Sequence, residues 1–413
     1  MQAKHLKLLI TYLLLLHYSF EGYTQNSKES TPTNKPPLTP VWIYKTAQPF
    51  FASPVIVNNL IFCGNLDSTM HAIDLITGKP IWKFHTQGEI RSIAALYGNQ
   101  LAFVSGDGNV YALDQKTGRL LWKFKTQGER TYSLYSYADY YQSSPIFEKG
   151  ILYFGSGDSY VYALDANNGT LKWKFKTGDV VHARPALHNN QLFIGSFDGY
   201  VYALDAIKGT LIWKFKSVGQ QFFPKGEMQG NPTVFNDRIF IGSRDYNLYA
   251  INIKEGYGLW NRQFAKGWAM GTPVVKDSVL YVGTSDDMVL LALDPYTGRT
   301  KWQAAVKFNV FGAPAIADTS VFIGTLMGKL FGIDRRTGAI LWTYETEAYK
   351  RNKARYFTEN DVYRNDIQQI IRKGEDFITM YYDLGAFFSS PVITGNKLII
   401  SSTDGAIYCF NKE

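Results

Sequence analysis

Two cysteines in 413 residues, Cys63 and Cys409, exclude a disulfide framework. Histidine is also scarce at six residues, and around His182 no second His, Cys or carboxylate stands at ligand spacing, which argues against a metal site. Long apolar runs are missing as well. The one candidate, Leu8 to Leu16, is too short to span a bilayer. It follows Lys4 and Lys7 and precedes a polar stretch ending near Gly22 and Thr24, the layout of a secretory signal over residues 1–24. An exported protein is therefore expected, with no transmembrane segment and with peripheral membrane association open. The absence of Cys before Cys63 argues against a lipoprotein start. Residues 25–40, with Pro32, Pro36, Pro37 and Pro40 among Ser, Thr and Asn, read as a flexible linker.

What the chain has is repetition. The phrase Ala-x-Asp-x-x-x-Gly-x-x-x-Trp returns seven times, most clearly from Ala163 through Asp165 and Gly169 to Trp173. Its tryptophans, Trp82, Trp122, Trp173, Trp213, Trp260, Trp302 and Trp342, are 40, 51, 40, 47, 42 and 40 residues apart, the period of a radial or solenoid array. Each copy holds four short apolar runs, as in Ser144 to Phe147, Leu152 to Gly155, Tyr160 to Leu164 and Leu171 to Phe175. An Asp-Gly type turn such as Gly195 to Gly199 separates the second and third runs, a strong hairpin signal. Four antiparallel strands every 40 or so residues make a propeller blade.

The last segment, Ser389 to Asn411, supplies only three strands, while Val41 to Thr46 offers a fourth carrying Trp42. Joining them gives an all-β, eight-bladed β-propeller over residues 41–413, closed by an N-terminal strand in blade 8 and expected to be monomeric. Cys63 and Cys409 fall on small apolar strand positions of neighbouring blades, where two buried thiols are expected and a bridge is conceivable.

The net charge of +8 could suggest nucleic acid. Much of it lies in the repeated Trp-Lys-Phe-Lys-Thr of the fourth strand, where Lys discourages edge-to-edge pairing, so no nucleic-acid partner is expected.

Positions shared by all copies serve the fold, so function is sought where copies differ. Aligned on a Pro at the entry of the inner strand (Pro54, Pro145, Pro185, Pro232, Pro273, Pro314, Pro391, with Ala94 in blade 2), the residues three earlier are Phe51, Arg91, Gln142, His182, Gln229, Met270, Phe311 and Phe388. They describe a channel mouth with a polar arc in blades 2 to 5 and an apolar arc in blades 6, 7, 8 and 1, with Arg184 close by. Such a mouth suits an amphipathic ligand or peptide. The hairpin residues Asp67, Asp107, Asp158, Asp198, Asp245, Asp286 and Asp404 on the same face read as turn formers.

Three inter-blade connections are long, and strand direction brings all three to that face. Residues 128–142 carry Tyr137 and Tyr141, residues 217–230 carry Phe222 and Phe223, and residues 345–388 carry Arg355 and Tyr356. In the longest, Thr358 and Asp361 resemble a helix start, Tyr363, Ile367, Ile370 and Ile371 share a helical face, and Gly374 is the expected stop. Tyr-rich, Arg-bearing loops on a rigid scaffold make a contact surface.

Over residues 41–413 the repeated phrase resembles the tryptophan-docking repeat of pyrroloquinoline-quinone-type β-propellers. The resemblance implies that each Trp packs on a small motif residue (Ala72, Ala112, Ala163, Ala203, Ala250, Ala292, Gly332, Cys409) and on a Gly peptide of the adjoining blade. It implies two functional classes: quinone-dependent dehydrogenases, and non-catalytic scaffolds of the BamB type in outer-membrane assembly. The eight-bladed alcohol-oxidising relatives carry an adjacent Cys-Cys pair and calcium held by Glu, Asn and Asp, with a catalytic Asp. None of that can be placed here residue by residue. The expectation is a non-catalytic scaffold without a cofactor, periplasmic or associated with the outer membrane, that binds a protein or peptide partner. The alternatives are a dehydrogenase using pyrroloquinoline quinone with calcium, and a small-ligand or glycan-binding propeller.

Overall fold

The computed structural model describes residues 38–133 and 138–412, so the expected signal, most of the expected linker and Tyr137 lie outside the described residues. Among the described residues the strands form eight four-stranded antiparallel sheets. Seven are consecutive in sequence. In the eighth, β1 (Pro40–Lys45) pairs antiparallel with Ala406–Asn411, setting Trp42 opposite Cys409 and Tyr44 opposite Ile407. The eight-bladed ring and its N-terminal closure are as the repeats indicate.

Within a blade, burial follows the packing of sheet on sheet. The second and third strands are covered on both faces and read as apolar runs, such as Ile151–Gly155 and Tyr160–Asp165. The outer strand alternates, because one side meets the next blade and the other meets solvent, as in Leu171–Lys176. Immediately before its Trp, each outer strand of all eight blades carries an irregularity in register, as between Ala163 opposite Trp173 and Leu164 opposite Leu171. The extra residue is a bulge that increases the local twist.

The tryptophans join blades. Trp173 sits across from Ala163 in its own blade and donates its indole N–H to the Ala206 carbonyl of the next, 2.9 Å away. Its ring lies on Gly209, where a Cβ would come within 2.5 Å of it. The same bond is made by Trp82 to Gln115, Trp122 to Ala166, Trp213 to Ile253 and Trp302 to Arg335. Trp42 closes the seam by donating to Leu75. Cys63 and Cys409 are free thiols buried in one cluster at that seam.

The turn aspartates serve the fold. Asp158 accepts from the backbone N–H of Tyr160 and Gln127 and from the Tyr162 hydroxyl, tying the hairpin to the incoming connection. In blade 6 the bonds to the incoming connection fall to Asp287 rather than Asp286.

Residues 345–388 differ from expectation. The basic stretch is itself helical, α1 (Glu347–Tyr356), capped by Thr346, whose side chain accepts from Tyr349 N–H. Thr358 to Asp361 form a turn rather than a helix start, with Asp361 at φ 62°. Only Ile367–Ile370 (α2) is helical within the expected helix. Gly374 begins the next helix, α3 (Gly374–Leu384), because Asp376 accepts from Arg372 N–H and Lys373 N–H and caps it. The helix stop is Gly385, in the left-handed conformation.

Candidate functional site

Each blade enters by its inner strand and leaves by its outer one on the same side, so inter-blade connections share one face with the Asp turns. On that face Phe51, Gln142, His182, Gln229, Met270, Phe311 and Phe388 line one cavity, as their shared position in the repeat indicates. Arg91 completes the circle: its N–H donates to Gln142 Oε1 (3.0 Å), and its guanidinium lies 5.3 Å from the Phe51 ring.

The mouth is not an open amphipathic slot. Phe51, Met270, Phe311 and Phe388 are buried in one cluster with Tyr140 from residues 128–142 and with Tyr349, Tyr356, Phe357, Met380, Tyr381 and Leu384 from residues 345–388. Phe51 and Phe388 pack at 4.4 Å between centroids. The free space left is about 50 Å³, enough for a few waters, whereas small-molecule sites run to about 300–1,000 Å³. The long insertion therefore plugs the apolar half of the channel.

A second ring stands one residue before each Pro, and of its members only Arg184 is a candidate from the sequence. Its side chains stitch neighbouring blades: Ser144 Oγ accepts from Ile93 N–H, Asn231 Oδ1 from Arg184 N–H, Ser390 Oγ from Ala313 N–H, and Ser53 Oγ from Ser390 N–H, all at 2.7–2.9 Å. Asn231 also donates to Thr272 Oγ1. Arg184 thus joins this ring through its backbone, and burial pushes its guanidinium pKa down.

The polar half is a charged core. His182 Nδ1 lies 2.8 Å from Asp139 Oδ1 and Nε2 lies 2.8 Å from Glu129 Oε1, with all three side chains buried. Burial opposes a charge on the ring, but the two carboxylates outweigh it and push the imidazole pKa up to about 10. His182 is therefore an imidazolium, hydrogen-bonded through Nδ1 to Asp139 and ion-paired through Nε2 with Glu129. The other oxygen of Asp139 accepts from Tyr132 N–H at 2.7 Å.

Beside it stands Arg244, 0 % exposed. It donates to Gln229 Oε1 and to the Ala138 carbonyl, both at 2.6 Å, and its guanidinium lies 5.1 Å from the Phe197 and Trp268 rings and 5.8 Å from Tyr132. Tyr132 donates its hydroxyl to the buried Glu227 at 2.6 Å. The effect is to lock residues 128–142 onto residues 217–230. Glu129, Asp139, Glu227 and Arg244 escaped the reading of the sequence. Arg244 was legible: it occupies the variable turn position held elsewhere by Leu66, Gly106, Gly157, Phe197, Ser285, Leu326 and Thr403, and is the only charge in that column.

The remaining candidates divide. Tyr141 donates to the Phe388 carbonyl at 2.9 Å, fastening two insertions together. Tyr356 is buried and its hydroxyl reaches Asp383, whereas Arg355 is exposed and pairs with Asp383 at 2.7 Å.

A family model described as "Outer membrane protein assembly factor BamB" matches residues 39–197, 107–223 and 197–362, most of the ring. The chain belongs to this family. The outer membrane protein assembly factor BamB of Yersinia pestis is 36% identical over 73 residues, a match spanning 18% of this chain and only 18% of that relative's length. Among solved structures, BamB from Moraxella catarrhalis superposes with a TM-score of 0.65 at 18% identity, covering 91% of this chain and 97% of that one. The quinohemoprotein alcohol dehydrogenase from Comamonas testosteroni gives 0.66 at 14% identity, covering 91% and 76%. At such identities the structural likenesses establish the shared propeller and nothing chemical.

The channel residues do not fit a quinone with calcium. Arg91 is engaged by Glu89 at 2.9 Å and by the Asp139 carbonyl, and His182 is held between two carboxylates. The cysteines sit at the blade 1 and blade 8 seam, where burial pushes the Cys63 thiol up to about 12. Among the described residues no group of three His, Cys, Asp or Glu is placed to hold a metal ion.

Proposed function

We propose that this BamB-family ring is an exported, non-catalytic scaffold that holds a protein partner, within outer-membrane protein assembly, on the face built by its three long connections. The observation carrying this reading is the union of those connections into one rigid cap. Tyr132 and Glu227 join the first to the second, Tyr141 and Phe388 join the first to the third, and the cap fills the channel instead of leaving a small-molecule pocket. A preorganised surface loses little freedom on binding and suits a macromolecular partner.

The cap presents apolar and basic groups to solvent: Val218 is 75% exposed, Val362 57%, and Arg351, Arg355 and Arg372 stand on the same insertion face. In this reading the partner meets those outer residues. The ring residues Phe51, Gln142, His182, Arg184, Gln229, Met270, Phe311 and Phe388, with Arg91, set the shape of the cap from beneath.

A photo-crosslinking amino acid at Val218 or Val362, in cells, should trap a discrete partner, while the same probe at Asn396 in an opposite-face hairpin should not. Equal trapping at both faces, or trapping only at Asn396, overturns the reading.

A further inference from the structure

The lysines of the outer wall are distributed in a way that the fold does not require. The outer strands of blades 1 to 4, Pro80–His85, Leu120–Lys125, Leu171–Lys176 and Leu211–Lys216, hold eight lysines and no carboxylate. Those of blades 5 to 7, Gly258–Gln263, Thr300–Ala305 and Ile340–Glu345, hold only two cations, Arg262 and Lys301, beside Asn261, Gln263, Gln303, Thr343 and Glu345. All seven face the same need for edge protection. Protection therefore does not explain why the positive charge is gathered on one half of the wall.

The basic half is also amphipathic. The bulge before each Trp makes two successive residues face outward at the start of the strand, and in blades 2 and 4 both are apolar: Leu120, Leu121, Leu211 and Ile212 are 39–45% exposed. Leu171 adds to this row in blade 3, and Ile207 in the turn below blade 4 is 63% exposed. Rising roughly 3.3 Å per residue, the strands place Lys123, Lys174 and Lys214 above that apolar row, with Lys125, Lys176 and Lys216 higher still. Two copies of one clamp stand side by side. Lys174 and Lys176 lie 4.6 and 4.3 Å from the Tyr160 ring, and Lys214 and Lys216 lie 4.5 and 5.1 Å from the Tyr200 ring. Of the eight lysines only Lys172 pairs with a carboxylate, Asp165, among the described residues.

We infer that the outer wall of blades 2 to 4 is an interfacial surface for an anionic lipid bilayer, its apolar lower row entering the headgroup boundary while the lysines above meet lipid phosphates. Apolar side chains adjoining a row of ammonium groups are what interfacial binding needs: burial of the first, and attraction of the second to anionic headgroups. The wall runs around the circumference and meets the cap at Lys216, which donates to the Lys225 carbonyl; the inference does not rest on the cap's role. A ring edge-on to a membrane would leave its cap free for a partner.

The test is co-sedimentation of the purified protein with vesicles of phosphatidylglycerol and phosphatidylcholine, with pure phosphatidylcholine as control. Binding should require phosphatidylglycerol and fall with added salt. Lys174→Gln, Lys176→Gln, Lys214→Gln and Lys216→Gln should each reduce partitioning about fivefold, with the thermal transition unchanged. Ile212→Ser with Leu121→Ser should weaken binding to anionic vesicles without altering its salt dependence. Unaltered binding when these four lysine substitutions are combined in one variant overturns the inference. So does retention of the wild type by soluble polyglutamate with no binding to vesicles, which would assign the wall to an acidic polymer.

Discussion

The Tyr132 hydroxyl donates to Glu227 across 2.6 Å, joining connections ninety-five residues apart in the chain. Both residues are buried, and the Tyr132 ring also lies beside the Arg244 guanidinium, so one side chain touches both a carboxylate and a guanidinium out of reach of water.

Breaking that network should cost more than its few contacts suggest. Arg244→Met leaves Gln229 Oε1 and the Ala138 carbonyl without their buried charged donor, and each such charge-assisted hydrogen bond is worth about 1.5–3 kcal/mol. Tyr132→Phe deletes only the hydroxyl and should cost about 1–3 kcal/mol. Urea unfolding checks the order, and limited proteolysis should show new cleavage in residues 128–142 and 217–230 before the blades open.

Two histidines should give opposite pH responses. His182 has its pKa raised to about 10 by Asp139 and Glu129 against burial, so its stabilisation is fully present below about pH 6.5 and is lost as pH rises through 10. His71, held by Tyr44 at 3.0 Å on the seam between blades 8 and 1, is pushed down to about 4 by burial. Its contribution is present above about pH 6.5 and is lost as pH falls toward 4. The stability gap between wild type and His182→Gln should therefore shrink from pH 7 to 10, and that for His71→Gln should shrink from pH 6.5 to 4.

Tryptophan docking makes a prediction about two glycines. Gly98 and Gly209 both have positive φ, but a Cβ on Gly98 meets nothing within 4 Å, whereas one on Gly209 meets Trp173 at 2.5 Å. Gly98→Ala should cost only the left-handed strain, about 1–2 kcal/mol. Gly209→Ala adds an overpacking cost of about 1–3 kcal/mol and should also shift Trp173 fluorescence.

Titration with pyrroloquinoline quinone and calcium should leave both the quinone absorbance and the melting temperature unchanged, because a ligand of the native fold would raise its stability. A saturable shift with dye reduction on adding alcohols would return the dehydrogenase reading.

The blades were legible because their determinants are local and repeat. The small residue, the turn Asp and Gly, and the docking Trp lie within eleven residues of each other, and the missing strand at the C-terminus was countable against Trp42. The eight residues before the inner strands were likewise brought into one circle by their common place in the repeat. Tertiary structure alone decided what that circle does. The apolar half is sealed because Tyr141 reaches Phe388, 247 residues away, and because α1 and α3 pack over it. The helix boundary at Gly374 depended on Asp376 as a cap, which outweighs the preference of glycine for ending helices. His182 became a buried cation only when Glu129 and Asp139 folded against both its nitrogens. None of these contacts has a period, and the energy of each depends on what excludes water from it. Sequence by itself therefore determined the ring, and the packing of three non-repeating loops determined its closed, charged face.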